Sequence, residues 1–350
     1  MSGFLAFLIL FGVVVFVHEL GHFAVGKLAR VRVDEFGFGY PPRLFTLGTW
    51  GGTAYTINAI PIGGFVKMGE EDDSRPDSMA NQRWPVRAAA FLAGPLMNLF
   101  LAALCYLVIA MFGQQVYSGR VVIEQIAPNS PAQAAGLQVG DQIIAVNEVE
   151  VGNTLELSQR VGLSVGTETR LLIERQGQRL SVVLVPRVDP PEGEGAMGVG
   201  VALSNIEVTT VRYPLGEAIP QSVRRTVSTV TALVEGLVGM IAGRVPAEVT
   251  GPVGLYQFTG EVAKTGWANL MDLAALVSIN LFILNLMPFP PLDGFRLLLI
   301  LVELLRGGRR VTPHLEGVVN AVGMIILLAL MLLISYQDVV RLISGQPLLP

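Results

Sequence analysis

Charged residues, cysteine and histidine are all scarce in this chain of 350 residues. Only 15% of the residues are charged, and there are three histidines and one cysteine. The single cysteine, Cys105, excludes a disulfide within the chain. A net charge of -4 without any basic tract argues against nucleic acid as a partner. By contrast, 51% of residues are hydrophobic and the mean hydropathy is +0.56, which predicts a membrane protein.

Long apolar runs predict four helices that span the lipid bilayer. They cover Gly3–Gly26, Ala88–Phe112, roughly Leu270–Met287 and roughly Gly317–Ser335. At about 1.5 Å per residue, runs of this kind are long enough for a hydrocarbon core of about 30 Å. The alternative for the first run is a cleaved signal peptide. We disfavour it because the first lysine or arginine, Lys27, follows the run instead of preceding it.

Basic residues predict how these spans are oriented. They concentrate between spans one and two and between spans three and four, at Lys27, Arg30, Arg32, Arg43, Lys67, Arg83, Arg87, Arg306, Arg309 and Arg310. Loops rich in lysine and arginine stay in the cytoplasm, so both termini and the long middle segment are expected outside.

The segment between spans two and three changes character. Strand-like runs and one short helical stretch, "TLELSQRVG", predict an inserted α+β module over residues 116–205. Residues 213–248 follow with apolar positions at helical spacing but many polar ones opposite. A helix in the membrane interface fits them better than a fifth span. The remaining segments are 1–30, 31–87, 88–112, 249–306 and 307–350. The expected fold is a multi-pass α-helical membrane protein with membrane-associated β-strands and this inserted module.

The stretch "HELGH" places three ionisable residues inside the first apolar run. Because His18 and His22 are four residues apart, their imidazoles project from one helix face and can hold one metal ion. Zinc is the expected occupant, with Glu19 as the base that activates water. An ionisable group at the bilayer centre costs about 2.5–3.5 kcal/mol on insertion scales. A solvated helix face, the usual alternative for this motif, is therefore disfavoured here.

Two histidines leave zinc short of a third protein ligand. The remaining histidine, His314, lies in a loop expected in water, whereas Asp293 follows the third span in "NLMPFPPLDG". Metal coordination resolves the cost of burying a carboxylate there, so Asp293 is favoured over His314.

Several motifs together resemble those of a known family. "HELGH", "GFGYPPRLF", "AIPIGGFVKMGEED", "AGPLMNLFLA", "GPVGLYQFTGEVAKTG" and "NLMPFPPLDG" occur in this order. This chain resembles the site-2 protease family of intramembrane zinc metalloproteases, in its bacterial regulator-of-sigma-E protease branch. The resemblance implies one zinc ion held by His18, His22 and Asp293, with Glu19 as catalytic base. It also implies the cytoplasmic (inner) membrane of a bacterium. One departure is Phe295, where the family usually has a second glycine.

Within the middle module, "VVIEQIAPNSPAQAAGLQVGDQIIAVNEVEV" resembles a circularly permuted PDZ domain. PDZ domains bind extended chain ends, so the resemblance implies a peptide carboxyl terminus as partner, near residues 196–201. The alternative is a rigid cap that only excludes bulky proteins. The distribution of basic residues predicts that this domain is extracytoplasmic.

Hydrolysis inside a bilayer requires an unwound substrate. The strand-rich segment Thr53–Lys67, with Gly63 and Gly64, is expected to form a re-entrant sheet whose edge pairs with the substrate. Asn280 and Asn285 are expected to hydrogen-bond the substrate backbone, or alternatively to pack between helices.

Two functions remain open. The first is an intramembrane zinc metalloprotease that cuts single-span membrane proteins; family precedent suggests anti-sigma factors or signal-peptide remnants. The second is a non-catalytic membrane scaffold that binds transmembrane clients through the PDZ-like domain. The intact HExxH motif and the downstream LDG favour the first. A soluble zinc protease tethered to the membrane is disfavoured because its motif would lie outside the apolar run.

Overall fold

A computed structural model describes residues 3–69, 75–191, 194–243 and 251–344. Parts of the expected segments, at 70–74, 192–193, 244–250 and 345–350, lie outside the described residues. The elements follow in the order α1 (Gly3–Leu28), β1 (Glu35–Trp50), β2 (Thr53–Lys67), a 3-10 turn (Met79–Asn81), α2 (Trp84–Phe112), β3 (Gln114–Ile126), α3 (Pro131–Ala134), β4 (Gln142–Val146), β5 (Val149–Glu150), α4 (Thr154–Gly162), β6 (Thr169–Arg175), β7 (Gln178–Leu184), β8 (Val199–Val211), α5 (Leu215–Ile241), α6 (Pro252–Thr265), α7 (Trp267–Asn285), α8 (Asp293–Leu305) and α9 (Pro313–Ile343).

Four helices among the described residues are long and apolar enough to cross a membrane: α1, α2, α7 and the His314–Arg341 part of α9. The expected fold class is confirmed. Several boundaries differ from the sequence prediction, and α9 extends beyond the expected Gly317–Ser335 at both ends. Helix α2 begins at Trp84 rather than Ala88, because Pro85 is compatible with a first helical turn. Helix α7 begins after Gly266, whose φ of +127° ends the preceding helix, and it stops at Asn285.

The chain divides into two compact units. The inserted unit, Gln114–Arg212, is a six-stranded sheet in the order β7-β6-β4-β3-β8, with β5 paired to β4. Its own apolar core includes Val121, Ile143 and Leu171. Helices α3 and α4 are capped by the side chains of Ser130 and Asn153, each accepting a backbone N–H of its first turn.

The other unit, 1–113 with 213–350, contains a sheet made from two long bent strands. The first half of β1 pairs with both halves of β2, and the second half of β1 pairs with the first half of β2 around a Gly51-Gly52 turn. Both turn glycines have positive φ, as tight hairpins require. The last segment of β2, residues 63–67, therefore forms an edge of the sheet among the described residues.

Two buried polar side chains inside this sheet donate hydrogen bonds to nearby backbone. Thr53 donates to the Val33 carbonyl oxygen at 2.7 Å and Asn58 to the Gly39 carbonyl oxygen at 2.9 Å. Irregular backbone at membrane depth persists only where protein covers it or it lines a cavity. One face of the sheet packs on α1, where the Phe36 ring lies 5.4 Å from Phe16 and 4.5 Å from Phe23.

Helices α1 and α2 approach closely because small residues meet at their crossing. A Cβ at Gly21 would lie 2.3 Å from the Ala93 carbonyl oxygen, so only glycine fits there. On the other side, α2 packs against α5 and α7, with Tyr106 and Thr229 hydroxyls 3.2 Å apart.

Two charged contacts tie distant helices of this unit together. Glu303 of α8 forms ion pairs with Arg87 of α2 and with Arg310. Asp338 of α9, only 1% exposed, accepts the backbone N–H of Gly254 at 2.9 Å and thereby caps the start of α6.

Candidate active site

Three predicted ligands form a triangle between α1 and the start of α8. The Nε2 atoms of His18 and His22 are 3.1 Å apart, and they lie 3.2 and 3.3 Å from Oδ2 of Asp293. All three residues are at most 9% exposed. Among the described residues, this is the only group of three His, Cys, Asp or Glu side chains that could hold one metal ion.

The size of this triangle fits zinc. Ligand atoms about 2.0–2.1 Å from zinc, separated by a tetrahedral angle, lie about 3.3–3.4 Å from one another. The three measured distances are close to that edge length. Without a cation between them, the carboxylate of Asp293 and the two imidazole nitrogens would be buried with their polar atoms facing one another. These three ligand atoms therefore favour a bound divalent ion.

Hydrogen bonds from α2 orient both imidazoles. Nδ1 of His22 lies 2.8 Å from the Ala90 carbonyl oxygen, which fixes the proton on Nδ1 and leaves the Nε2 lone pair facing the triangle. Nδ1 of His18 lies 3.4 Å from the amide nitrogen of Asn98, a residue that is fully buried. The Asn98 oxygen has no hydrogen-bond partner in the described structure. Exchanging the two ends of this amide lets the oxygen accept from His18.

The loop before α8 brings Asp293 into place. Pro288, Pro290 and Pro291 interrupt regular helix after α7. A Cβ at Gly294 would lie 2.3 Å from the Leu286 carbonyl oxygen, so the chain folds back tightly against itself at this glycine. The departure from the expected motif is accommodated, because the N–H of Phe295 donates to the Leu292 carbonyl oxygen at 3.1 Å.

A cavity of about 730 Å³ opens onto the triangle. Glu19 lines it together with His18, His22 and Asp293, and Asn285, Gly64, Tyr40 and Arg296 contribute further walls. Asn285 is thus placed beside the cluster. Asn280 is half-buried on α7 and is not among the described residues that line this cavity. His314 is exposed at the start of α9 and is not part of the cluster.

Two predicted glycines lie where the edge of the sheet touches α1. A Cβ at Gly64 would lie 2.9 Å from Cγ of Glu19, and one at Gly63 would lie 2.4 Å from Cγ1 of Val15. The edge segment of β2 therefore lies directly beside the HExxH helix. Its Gly64, Phe65 and Val66 also line the cavity.

Sequence reasoning missed the direct contact of Gly94 with both rings and the place of Tyr40 on the cavity wall. A Cβ at Gly94 would lie 2.3 Å from Nε2 of His22, so α2 presses its backbone onto the cluster. Tyr40 is 45% exposed on the wall of the cavity that Glu19 and Asp293 also line. Only tertiary contacts reveal either feature. A glycine in a membrane helix signals close packing but does not name its partner.

The family comparison agrees with this geometry. The model of Peptidase family M50 matches residues 6–330. The chain belongs to Peptidase family M50. The M50 chain is a metalloprotease. Its four long apolar helices among the described residues fit a multi-pass membrane protein. The family, enzyme class and fold class predicted from the sequence are therefore confirmed.

Individual relatives cover nearly all of the M50 chain. A protein of Clostridium acetobutylicum, provisionally named a zinc metalloprotease, is 34% identical over 334 residues, covering 94% of this chain and 95% of that one. Zinc metalloprotease RasP of Shouchella clausii is 29% identical over 430 residues, covering 98% of this chain and all of its own. Among solved structures, the PDZ domain of an SdrC-like protein from Listeria monocytogenes matches with 17% identity and a TM-score of 0.22. It covers 25% of this chain and 93% of that one.

Proposed function

We propose that this protein is an intramembrane zinc endopeptidase that cuts the transmembrane segments of single-span membrane proteins. The observation that carries the proposal is the triangle of His18, His22 and Asp293, which lies beside Glu19 in a cavity walled by membrane helices. Relatives named zinc metalloproteases support zinc as the metal.

The residues have separate roles in the proposed reaction. His18, His22 and Asp293 would hold zinc, which supplies Lewis-acid polarisation and a lowered pKa for bound water. Glu19 takes a proton from the attacking water and returns it to the nitrogen of the scissile amide. The carbon–nitrogen bond then breaks to give a carboxylate and an amine. Because the cluster is buried, bulk water does not compete with these contacts.

Substrate positioning is assigned to the edge of the sheet. Residues 63–67 pair only with β1 in the described structure and line the cavity, so their free edge can add one extended substrate strand beside the metal. Asn285, at the end of α7, is placed to hydrogen-bond the exposed substrate backbone. We keep Asn280 as a prediction for the same role, with helix packing as its alternative.

The setting in the cell rests on charge distribution and on the family resemblance. The basic residues between spans predict cytoplasmic loops, with the inserted domain on the outer side of a bacterial cytoplasmic membrane. Anti-sigma factors and signal-peptide remnants are the proposed substrate classes. A reporter fused after Phe112 should therefore be active only outside the cytoplasm.

The deciding experiment compares wild type, Glu19→Gln and Glu235→Gln in detergent. Glu235 is exposed on α5 and serves as the matched control. All three should bind about one zinc ion per chain, and only Glu19→Gln should lose cleavage of a transmembrane peptide. Turnover by Glu19→Gln would identify another base or a contaminating enzyme. A wild-type protein that holds no zinc and binds transmembrane clients without cutting them would support the scaffold instead.

The sheet assignment has its own test. Replacing Gly64 by valine should impair cleavage and substrate crosslinking, since its side chain meets Glu19 and the Phe16 backbone of α1. Leu47, which is exposed on the same sheet, offers a control, with valine as the replacement. Asn285→Ala should lower cleavage as well. Unchanged rates in both the Gly64 and Asn285 variants would remove the substrate role from this wall of the cavity.

A further inference from the structure

Tyr40 lies on the wall of the catalytic cavity at a position set by β1. Side chains two residues apart on a strand share a face. Phe36 and Phe38 both contact Phe16 of α1, at ring distances of 5.4 and 6.3 Å. The strand register shifts between Phe38 and Tyr40, and Tyr40 lines the cavity that contains Glu19 and Asp293.

The backbone beside Tyr40 is held firmly. Gly39 has a φ of +85°, and a Cβ there would lie 2.5 Å from the Ile60 carbonyl oxygen. The carbonyl oxygen of Gly39 accepts a hydrogen bond from buried Asn58 at 2.9 Å. Tyr40 itself pairs with Ile60 across the sheet. A rigid backbone and only two side-chain torsions place the phenol with little entropic cost.

Peptide hydrolysis develops negative charge on the scissile carbonyl oxygen, and a preorganised donor near that atom accelerates the reaction. In the proposed mechanism the two histidines and Asp293 are committed to the metal, and Glu19 carries the water proton. Four other cavity residues have side-chain donors: Tyr40, Lys67, Asn285 and Arg296.

The structure distinguishes among these four donors. The guanidinium of Arg296 lies 5.1 Å from the centre of the Phe91 ring, and both residues also line a neighbouring cavity. Lys67 ends the edge strand that is assigned to pair with the substrate, and Asn285 is assigned to the substrate backbone. Tyr40 lines the same cavity as Glu19 and Asp293 and is 45% exposed, so its hydroxyl is accessible to a substrate bound there. A phenol with an ordinary pKa of about 10 keeps its proton at neutral pH.

We propose that Tyr40 is a further catalytic residue, whose hydroxyl donates a hydrogen bond to the oxyanion formed from the scissile carbonyl. This inference rests on the proposed function. The Tyr40 proton stays on the phenol throughout. Glu19 transfers the water proton to the amide nitrogen, the carbon–nitrogen bond breaks, and the charge held by Tyr40 becomes part of the product carboxylate.

The test compares Tyr40→Phe with Tyr55→Phe. Tyr55 lies on the inner part of the same sheet, and its ring packs on Phe23, Phe36 and Trp50. Both variants remove one hydroxyl and keep the ring. Tyr40→Phe should lower kcat by about 10²-fold with KM within about 2-fold, as loss of one oxyanion donor does. Tyr55→Phe should match wild type, and both should keep zinc content and Tm.

Two binding measurements separate catalysis from positioning. A phosphinic peptide that mimics the tetrahedral state should bind Tyr40→Phe more weakly by the same factor as the loss in kcat/KM. In a Glu19→Gln background, Tyr40→Phe should leave the affinity for uncut substrate unchanged. A kcat within about 3-fold of wild type, or an equal loss of uncut-substrate affinity, overturns the assignment. If wild type itself binds no zinc and cuts nothing, the proposed function has failed instead.

Discussion

Gly94 offers the sharpest test of how the fold builds the metal cluster. Adding a methyl group there would place a carbon 2.3 Å from Nε2 and 2.5 Å from Cε1 of His22, and 2.8 Å from Cε1 of His18. Carbon atoms in contact normally lie about 3.5–4.0 Å apart. The His22 ring must therefore move by roughly 1 Å. Zinc ligands tolerate deviations of only about 0.2 Å.

The expected magnitude follows from this displacement. Losing an outer partner of a metal ligand typically costs 10–100-fold in metal affinity. Because Gly94→Ala moves a ligand itself, we expect zinc affinity to fall by at least about 10²-fold, which is about 2.7 kcal/mol. Alanine favours helix by about 1 kcal/mol over glycine, so helix α2 should persist. Cleavage should fall with zinc occupancy and recover partly at high zinc concentration.

In detergent, competition with a chelator measures zinc affinity, metal analysis measures zinc occupancy, and Tm reports whether the fold persists. Gly236→Ala is the matched control, because a Cβ at this helical position meets nothing within 4 Å. Gly21→Ala is a second comparison: its methyl group meets the Ala93 backbone of α2, and it should loosen the helix crossing and lower Tm. Wild-type zinc affinity in Gly94→Ala, with unchanged cleavage, would refute the geometry of the cluster.

Three contacts outside the cluster give further predictions. Glu303→Gln leaves the partly buried Arg87 without its ion pair and should cost about 1–3 kcal/mol of unfolding free energy in denaturant titrations, compared with Glu235→Gln. Asp338→Asn weakens the cap of α6 and should lower stability by about 1–2 kcal/mol, read as a fall in Tm relative to exposed Asp189→Asn. Burial opposes ionisation of Asp141, but hydrogen bonds from Arg175 and the Gln138 N–H hold its pKa below the usual value. Its contribution to stability is therefore complete above about pH 4 and lost as the pH falls through the lower folded value. In the unit of residues 114–212, the Tm difference between the unchanged sequence and Asp141→Asn should accordingly shrink as the pH falls. A constant difference would contradict the assigned cause.

Local patterns allowed the sequence to predict the helices and the identity of the cluster. Apolar length alone predicts the spans, and the i, i+4 spacing of His18 and His22 predicts one helix face. Asp293 could be inferred because a carboxylate next to a membrane span requires a polar partner. Each of these signals lies within a few consecutive residues, and each concerns a cost that lipid imposes on charge.

The contacts that complete the site leave no such signal. Arg87 and Glu303 are 216 residues apart in sequence, and Asp338 caps a helix that begins more than 80 residues earlier. The strand pattern of Thr53–Lys67 predicts a sheet, but not that the first half of β1 lies between the two halves of β2. Such pairings depend on bends and register, which side-chain periodicity does not determine.

Glycines at two contact points explain how α1 can be enclosed on two sides and still hold ionisable side chains. Helix α2 approaches α1 at Gly94, and the sheet edge approaches it at Gly64. Side chains at either point would separate the layers and admit lipid or water to His22 and Glu19. With both glycines present, the ligands lie in a low-dielectric enclosure where their mutual attraction and any bound cation act with little screening. The two glycines lower local helix and strand propensity, and in return they bring backbone within contact distance of the proposed ligand His22 and the proposed base Glu19.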